Sequence, residues 1–150
     1  MAGKYYVADT TVISRLTKSS EHGKAYNDIL GDERLAVSFQ TVAELQAASW
    51  GPRRQQRVDD LLAVTLKLPN SEATGVWYAR AIKVRKDLKM RGRSGQDAGD
   101  ADMWIVASAL EWRYPLLSHD EGQVGLGRAM GAKVFTDLPG LRDGNPRVVS

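Results

Sequence analysis

Short apolar segments alternate along the chain with longer segments of mixed polarity. The short segments are rich in aromatic and β-branched residues, and we predict strands at residues 5–8, 35–39, 66–69, 115–119 and 132–136. The longer segments have helical periodicity, and we predict helices at residues 10–16, 23–30, 42–48, 53–64, 72–90, 102–110 and 124–130. The helix that begins at residue 102 is apolar almost all round, which is typical of a buried helix.

This alternation predicts an α/β fold, in which a parallel sheet of about five strands lies between helices. Right-handed crossovers place the carboxyl ends of all the strands at one edge of the sheet, where such folds carry their sites. We expect one domain over residues 1–138 and a frayed C-terminal tail over residues 139–150. The polar, glycine-containing segment 93–99 is predicted to be a mobile loop.

Composition narrows the classes of function. The 150 residues include no cysteine, which excludes disulfides, thiolate zinc sites and cysteine nucleophiles. No apolar run is long enough for a membrane span and no secretory signal is evident, so we expect a cytoplasmic protein. The formal net charge of +3 permits an anionic partner without requiring one.

Four acidic residues lie where predicted strands and helices meet. Asp9 ends the first strand, Glu44 lies in the first turns of the helix after the second, and Asp120 ends the fourth. Asp102 begins the buried helix that leads into that fourth strand. Because these positions share one edge of the predicted sheet, we expect the four carboxylates to converge there.

Each acid taken alone also has a structural explanation. Asp9 can cap a helix, Glu44 can face solvent, and Asp120 can occupy a turn. Asp100 and Asp102 can each cap the buried helix, and residues two apart on a helix diverge, so one ligand does not readily take both. It is the joint placement of the acids that favours a functional site.

Converging carboxylates repel one another unless a cation lies among them. Oxygen ligands suit Mg²⁺ or Mn²⁺, and a chain with two histidines and no cysteine offers little to zinc. Such an ion can convert a water molecule into hydroxide and stabilise charge on a phosphate. The acids therefore predict hydrolysis of phosphodiester bonds.

Four segments resemble, in order, the motifs of PIN-domain ribonucleases. Residues 6–13 form a strand that ends in Asp followed by Thr, and residues 38–45 place a hydroxyl residue ahead of Ala-Glu-Leu. Residues 102–110 are an Asp that opens a helix rich in Ile and Ala, and residues 116–120 are an apolar strand with Ser ahead of Asp. The order and spacing fit over about residues 4–138, and the size resembles the VapC-type toxins of bacteria and archaea.

The resemblance implies a three-layer α/β/α domain that cleaves RNA with Mg²⁺ or Mn²⁺ in an acidic pocket. It implies that the metal ligands, or the residues that organise the metal-bound water, are Asp9, Glu44, Asp102 and Asp120. It also implies hydrogen-bonding support from Thr10 or Thr11 and from Ser118. Asp100 competes with Asp102, which we favour because its distance from Trp104 fits the motif. Toxins of this kind are usually homodimers restrained by an antitoxin whose tail occupies the acidic groove.

Two basic clusters are candidates for contacts with RNA phosphates, although a solvated helix face explains either cluster equally well. The candidates are Arg53 and Arg54 in one cluster and, in the other, Lys83, Arg85, Lys86, Lys89, Arg91 and Arg93. If they bind phosphates, replacing several with alanine weakens RNA binding and flattens its salt dependence.

Other classes of protein also gather acids at the edge of a parallel sheet. A receiver-like domain needs an Asp after the third strand, where this chain has Leu68-Pro69-Asn70. An aspartyl-nucleophile phosphohydrolase needs a second Asp two residues after the first, where Thr11 stands. The remaining alternative is a non-catalytic PIN-like module that binds RNA or protein.

Overall fold

The computed structural model describes residues 5–141, over which five strands alternate with seven helices. The strands are β1 (Tyr5–Ala8), β2 (Arg34–Ser38), β3 (Leu66–Leu68), β4 (Leu116–Leu117) and β5 (Val134–Phe135). The helices are α1 (Thr10–Lys18), α2 (Ser20–Leu30), α3 (Phe39–Ala47), α4 (Pro52–Ala63), α5 (Glu72–Met90), α6 (Asp100–Trp112) and α7 (Glu121–Ala129).

The five strands form one parallel sheet in the order β3-β2-β1-β4-β5. Strand β1 is central and pairs with β2 on one side and with β4 on the other. Because every strand runs in the same direction, all their carboxyl ends lie at one edge, which we call the carboxyl edge. The predicted α/β fold with five parallel strands is confirmed.

Neighbouring residues on each strand face two separate cores. Val7 and Leu116 pack with buried residues of α5, α6 and α7, whereas Ala8 and Leu117 pack with those of α1, α2, α3 and α4. Successive side chains of a strand point to opposite faces of the sheet, which explains this division. The sheet is therefore covered on both sides, in three layers.

Side-chain caps decide where helices begin at the carboxyl edge. The Ser38 hydroxyl accepts a hydrogen bond from the Thr41 N–H at 3.1 Å, so α3 begins at Phe39, which was predicted to end a strand. Asp120 caps α7, which begins at Glu121, three residues before its predicted start. The predicted boundaries are wrong at α3 because Phe39 extends the apolar run of the strand, and at α7 because its apolar residues begin only at Val124.

The segment between α5 and α6 is packed more closely than its composition predicts. Gly95 is buried and has φ +101°, and a Cβ on it would lie 2.5 Å from the backbone nitrogen of Leu126. The Arg85 guanidinium donates a hydrogen bond to the carbonyl of buried Ala98 at 3.0 Å. These contacts fix the segment to α7 on one side and to α5 on the other.

The predicted tail begins within the described part of the chain. Leu141 packs against the core that includes Val7, and its carbonyl accepts a hydrogen bond from Arg128 at 3.0 Å. Residues 142–150, the rest of that predicted tail, lie outside the described residues. Over residues 5–141 the structure contains no helix of the length and apolar character that crossing a membrane requires.

Candidate active site

Asp9 follows β1 directly and only 2% of it is exposed. One carboxylate oxygen accepts a hydrogen bond from the Val12 N–H at 2.7 Å and thereby caps α1. The other accepts from the Ser118 hydroxyl at 2.7 Å and from the His119 N–H at 3.2 Å. These bonds connect the end of β1 to the end of its neighbour β4.

The protonation of Asp9 reflects this buried position. Burial raises the pKa of Asp9 to about 6, against the opposing effect of the hydrogen bonds from Ser118, Val12 and His119. The negative charge of Asp120 acts in the same direction as burial. A carboxyl group with this pKa exchanges its proton for a cation readily near neutral pH.

Gln123 links two further carboxylates. Its Nε2 donates a hydrogen bond to Asp102 at 3.0 Å, and its backbone N–H donates to Asp120 at 2.9 Å. Gln123 is 1% exposed, and within the described residues its Oε1 is buried with no hydrogen-bond partner. Gln123 is not among the residues predicted above, although its spacing from the capping Asp120 is the one at which Gln commonly lies beside a helix start.

Asp102 lies in the first turn of α6, where its second oxygen accepts a hydrogen bond from the Gly99 N–H at 2.9 Å. Burial raises the pKa of Asp102, and the charges of Asp120 and Glu44 act in the same direction. The carboxylates of α3, α6 and the β4–α7 junction are therefore close enough to repel one another.

Glu44 is fixed to the turn that carries Asp9. The Thr10 hydroxyl, at the first position of α1, donates a hydrogen bond to the Glu44 carboxylate. The alternative hydroxyl, on Thr11, is exposed and makes no side-chain hydrogen bond within residues 5–141. Of the two threonines proposed from the sequence, Thr10 is therefore the one that orients a carboxylate.

The structure thus brings the four predicted acids into one electrostatic network at the carboxyl edge. Asp120 raises the pKa of both Asp9 and Asp102, and Glu44 raises that of Asp102. A cavity of about 610 Å³ is lined by Asp102, Asp120 and residues 94–97 of the loop before α6. We call it the acidic cavity.

These residues fit Mg²⁺ or Mn²⁺ in donor type and in charge. The donors are carboxylate oxygens together with the unpartnered Oε1 of Gln123, and none of the four acids forms a salt bridge in the described part of the chain. The acids are spaced more widely than the ligands of a preformed metal site. No three potential metal-binding side chains among residues 5–141 lie close enough to form such a cluster.

Asp100, the competitor of Asp102, is directed to a different partner. Its side chain is exposed and lies 3.7 Å from the guanidinium of Arg85 on α5. Asp102, two residues further along α6, makes the hydrogen bonds to Gly99 and Gln123. The network therefore includes Asp102 and leaves Asp100 outside it.

A tyrosine that the sequence did not point to supports the turn between β4 and Asp120. The Tyr26 hydroxyl lies 2.6 Å from Nδ1 of His119 and 3.2 Å from the carbonyl of Ser118. It also accepts a hydrogen bond from the Asp137 N–H at 3.1 Å. Burial and the charge of Arg15 lower the pKa of His119, which favours a neutral ring.

The predicted RNA-contacting residues lie in two places with different surroundings. Arg54 donates a hydrogen bond to the carbonyl of Ser14 at 2.8 Å and stacks 4.4 Å from the Trp50 ring, so it packs α4 against α1. Arg53 is exposed beside it.

The second cluster lies in and after α5. Arg85 is half-buried, while the exposed members are Lys83, Lys86, Lys89, Arg91 and Arg93. Arg91 pairs with Asp87 at 3.1 Å.

A three-layer α/β/α domain with an acidic network at its carboxyl edge defines a class of proteins suited to divalent-ion chemistry on phosphate esters. The sequence profile of one such family, described as PIN domain, matches residues 6–128 of this chain. The chain therefore belongs to the PIN domain family.

Individual relatives agree with this assignment. Ribonuclease VapC1 of Haemophilus influenzae (strain R2866) is 28% identical over 125 residues, which cover 77% of this chain and 86% of VapC1. The solved structure of VapBC-5 from Mycobacterium tuberculosis matches with a TM-score of 0.59 at 25% identity, over 89% of this chain and 97% of that one. VapBC-1 from nontypeable Haemophilus influenzae matches with a TM-score of 0.62 at 23% identity, over 88% and 97% of the two chains.

Proposed function

We propose that this PIN-domain protein is a metal-dependent endoribonuclease, the toxin of a toxin–antitoxin pair, and that it hydrolyses RNA phosphodiester bonds. The observation that carries the proposal is the network of Asp9, Glu44, Asp102 and Asp120, which come from four separate parts of the chain. Support comes from relatives described as a VapC1 ribonuclease and as VapBC toxin–antitoxin proteins.

The four acids, with Gln123 beside them, would hold Mg²⁺ or Mn²⁺. When bound, such an ion makes a water molecule a stronger nucleophile and offsets charge on the phosphate. The chain's own groups keep the carboxylates oriented for this role. Ser118 and the His119 N–H hold Asp9, Gln123 holds Asp102 and Asp120, and Thr10 holds Glu44.

Two further parts of the proposal concern partners and location. The relatives solved as VapBC proteins support a cognate antitoxin as the partner that restrains this enzyme. We also propose a homodimer as the working form, and the cytoplasm, where RNA is available, as its location.

One observation favours a second candidate, a PIN-like module that binds RNA or protein without cleaving. The potential ligands among residues 5–141 do not form a ready-made metal cluster. If the carboxylates cannot close around an ion, the acidic cavity is a binding surface for cationic side chains and has no hydrolytic role.

Incubation of the purified, antitoxin-free protein with total RNA separates the two candidates. We expect discrete fragments with Mg²⁺ or Mn²⁺, none with EDTA, and at least a hundredfold slower cleavage by Asp120→Asn. Asparagine also caps helices well, so this variant keeps the start of α7. The matched control is Asp100→Asn, which lies outside the network and should cleave like the wild type. Cleavage that is insensitive to both EDTA and Asp120→Asn would overturn the proposed mechanism.

A further inference from the structure

A second cavity lies directly beside the acidic one. It measures about 470 Å³ and is lined from α5 by Ile82, Arg85, Lys86 and Lys89, and from the preceding loop of α6 by residues 96–98. Gln96 and Asp97 line both cavities, so the two share a wall. We call this second cavity the α5 groove.

Helical spacing places one set of cations in the groove and excludes another. Lys86 and Lys89 continue, from Ile82 and Arg85, the i, i+3, i+4, i+7 spacing of one face of α5. Both are exposed, and neither forms an ion pair in the part of the chain that the structure describes. Lys83 is also exposed on the same helix but does not line the groove.

The shared wall is fixed by specific contacts. Arg85 donates a hydrogen bond to the carbonyl of Ala98. Gly99, the residue after Ala98, donates its N–H to Asp102. At the other end of the wall, Gly95 approaches α7 so closely that a Cβ would clash with Leu126. The position of the groove relative to Asp102 is therefore set by the fold.

The opposite charges of the two cavities suit a polyanion that must approach a cluster of acids. Carboxylates repel RNA phosphates, whereas unpaired lysines attract them and release counterions. Asp97, which is part of the shared wall, disfavours phosphates there and leaves the α5 side as the favourable one. Two cations of α4 are less available, because Arg54 is engaged with Ser14 and Arg57 with the Thr17 carbonyl at 2.6 Å, whereas Arg53 is exposed.

We propose that the α5 groove holds the RNA backbone next to the cleaved bond, with Lys86 and Lys89 contacting successive phosphates. This inference rests on the proposed ribonuclease function and names the path of its substrate. It divides the basic residues of the chain into a substrate-binding set on one face of α5 and a set that stabilises the fold or faces solvent elsewhere.

The test is RNA binding by two double variants with the same change in charge. Both are made in the Asp120→Asn background and assayed in EDTA, so that cleavage of the RNA is suppressed. The probe is a labelled single-stranded RNA of mixed sequence, about 20 nucleotides long. We expect Lys86→Ala/Lys89→Ala to bind about tenfold more weakly at ~0.1 M salt, with a salt-dependence slope smaller by about 1.4. The control, Arg53→Ala/Lys83→Ala, should stay within about twofold of its parent.

A second measurement uses the same pairs with an intact active site. The groove variant should raise KM for RNA cleavage with little change in kcat, because its lysines lie outside the acidic cavity. Equal binding, salt-dependence slope and KM for the two double variants would overturn the proposed role of the α5 groove and would leave the proposed ribonuclease function standing. If the Asp120→Asn parent does not bind RNA and the wild type does not cleave it, the proposed function fails first and the groove fails with it.

Discussion

Asp9 is held by three hydrogen bonds and, within residues 5–141, by no cationic side chain. The bonds favour the charged carboxylate, whereas its burial disfavours it by more, and the outcome is a pKa of about 6. A bound cation would therefore stabilise the charged form of Asp9, which no cationic side chain within residues 5–141 does. In the proposed metal site, the proton of Asp9 and the metal ion would compete for the same oxygens.

The raised pKa of Asp9 gives a stability that depends on pH. Because the folded-state pKa of Asp9 is raised to about 6, the folded protein binds a proton that the unfolded chain releases near pH 4. Without metal, the contribution of Asp9 is largest below pH 4 and is lost as pH rises to 6, by about 3 kcal/mol in total. Chemical denaturation in EDTA from pH 4 to 7 measures this contribution as the difference in the free energy of unfolding between wild type and Asp9→Asn. A constant difference across that range would show that Asp9 titrates normally.

Ser118 provides a sharper test of how Asp9 is positioned. The Ser118 hydroxyl is fully buried, and its hydrogen bond lowers the pKa of Asp9. Ser118→Ala should destabilise the fold by about 1–3 kcal/mol and move the acid limb of the cleavage profile to higher pH. The loss of cleavage should therefore be greater at pH 6 than at pH 8.

The chain offers a matched control for that change. The hydroxyl of Ser108 on α6 is buried without a hydrogen-bond partner in the described structure. Ser108→Ala should change stability by less than about 0.5 kcal/mol, or increase it, and leave the pH profile unchanged. Equal pH profiles for the two alanine variants would remove Ser118 from the positioning of Asp9.

The residues of the network differ in how visible they are in the sequence. Asp9, Glu44, Asp102 and Asp120 follow from the placement of acids where strands and helices meet, and the network contains all four. Gln123 could be found only through its capping distance from Asp120. Tyr26 reaches His119 across 93 positions of sequence, a contact created by tertiary packing for which no local pattern exists.

At the scale of elements, α4 illustrates how a basic cluster can serve packing. Arg54 donates to the Ser14 carbonyl of α1 and stacks on Trp50. Arg54→Ala should therefore lower stability by about 1–3 kcal/mol, since a half-buried carbonyl loses a charged donor, and should change RNA affinity little. Arg53→Ala, at the exposed neighbouring position, is the control and should leave stability within about 0.5 kcal/mol. Thermal unfolding together with RNA binding separates the two roles, and a stable Arg54→Ala with weak RNA binding would reverse this assignment.

The loop before α6 depends on a glycine that α7 leaves no room to replace. A Cβ at Gly95 would meet the Leu126 nitrogen at 2.5 Å, and its φ of +101° also disfavours other residues. Gly95→Ala should displace the wall between the two cavities and reduce cleavage about tenfold or more. Gly92 also has a positive φ, +63°, but a Cβ on it would meet nothing within 4 Å. Gly92→Ala should therefore lower the free energy of unfolding by only about 1 kcal/mol and keep its activity. Similar activity of the two variants would show that the wall can move without consequence.

The elements themselves were largely predictable, and their ends were not. α5 spans Glu72–Met90, as its uninterrupted helical pattern predicts. α6 begins at Asp100, two residues before the predicted start, because its apolar face begins after its first turn. The polar composition of residues 93–99 predicts a mobile loop, yet Gly95 packs against α7. Composition alone does not report such a contact.

At the scale of the whole molecule, the sheet gathers acids that are up to 111 positions apart in sequence, from Asp9 to Asp120. Four like charges in one place cost stability, and within residues 5–141 no salt bridge offsets that cost. A ligand that binds only the folded arrangement stabilises the fold according to its concentration relative to its Kd. Under the proposed function, the binding of a metal ion by the four acids would therefore be coupled to folding stability.

Thermal unfolding with and without Mn²⁺ tests this coupling on the intact chain. At about 100 times Kd the ion should add about 2.7 kcal/mol to the free energy of unfolding. That gain corresponds to a rise in Tm of roughly 5–10 °C for a domain of this size. Asp102→Asn should lose most of the rise, because the variant removes one negative charge from the network, whereas Asp100→Asn should keep it. An equal rise in both variants would mean that the ion binds elsewhere, and the open spacing of the carboxylates would then describe a site that does not close around metal.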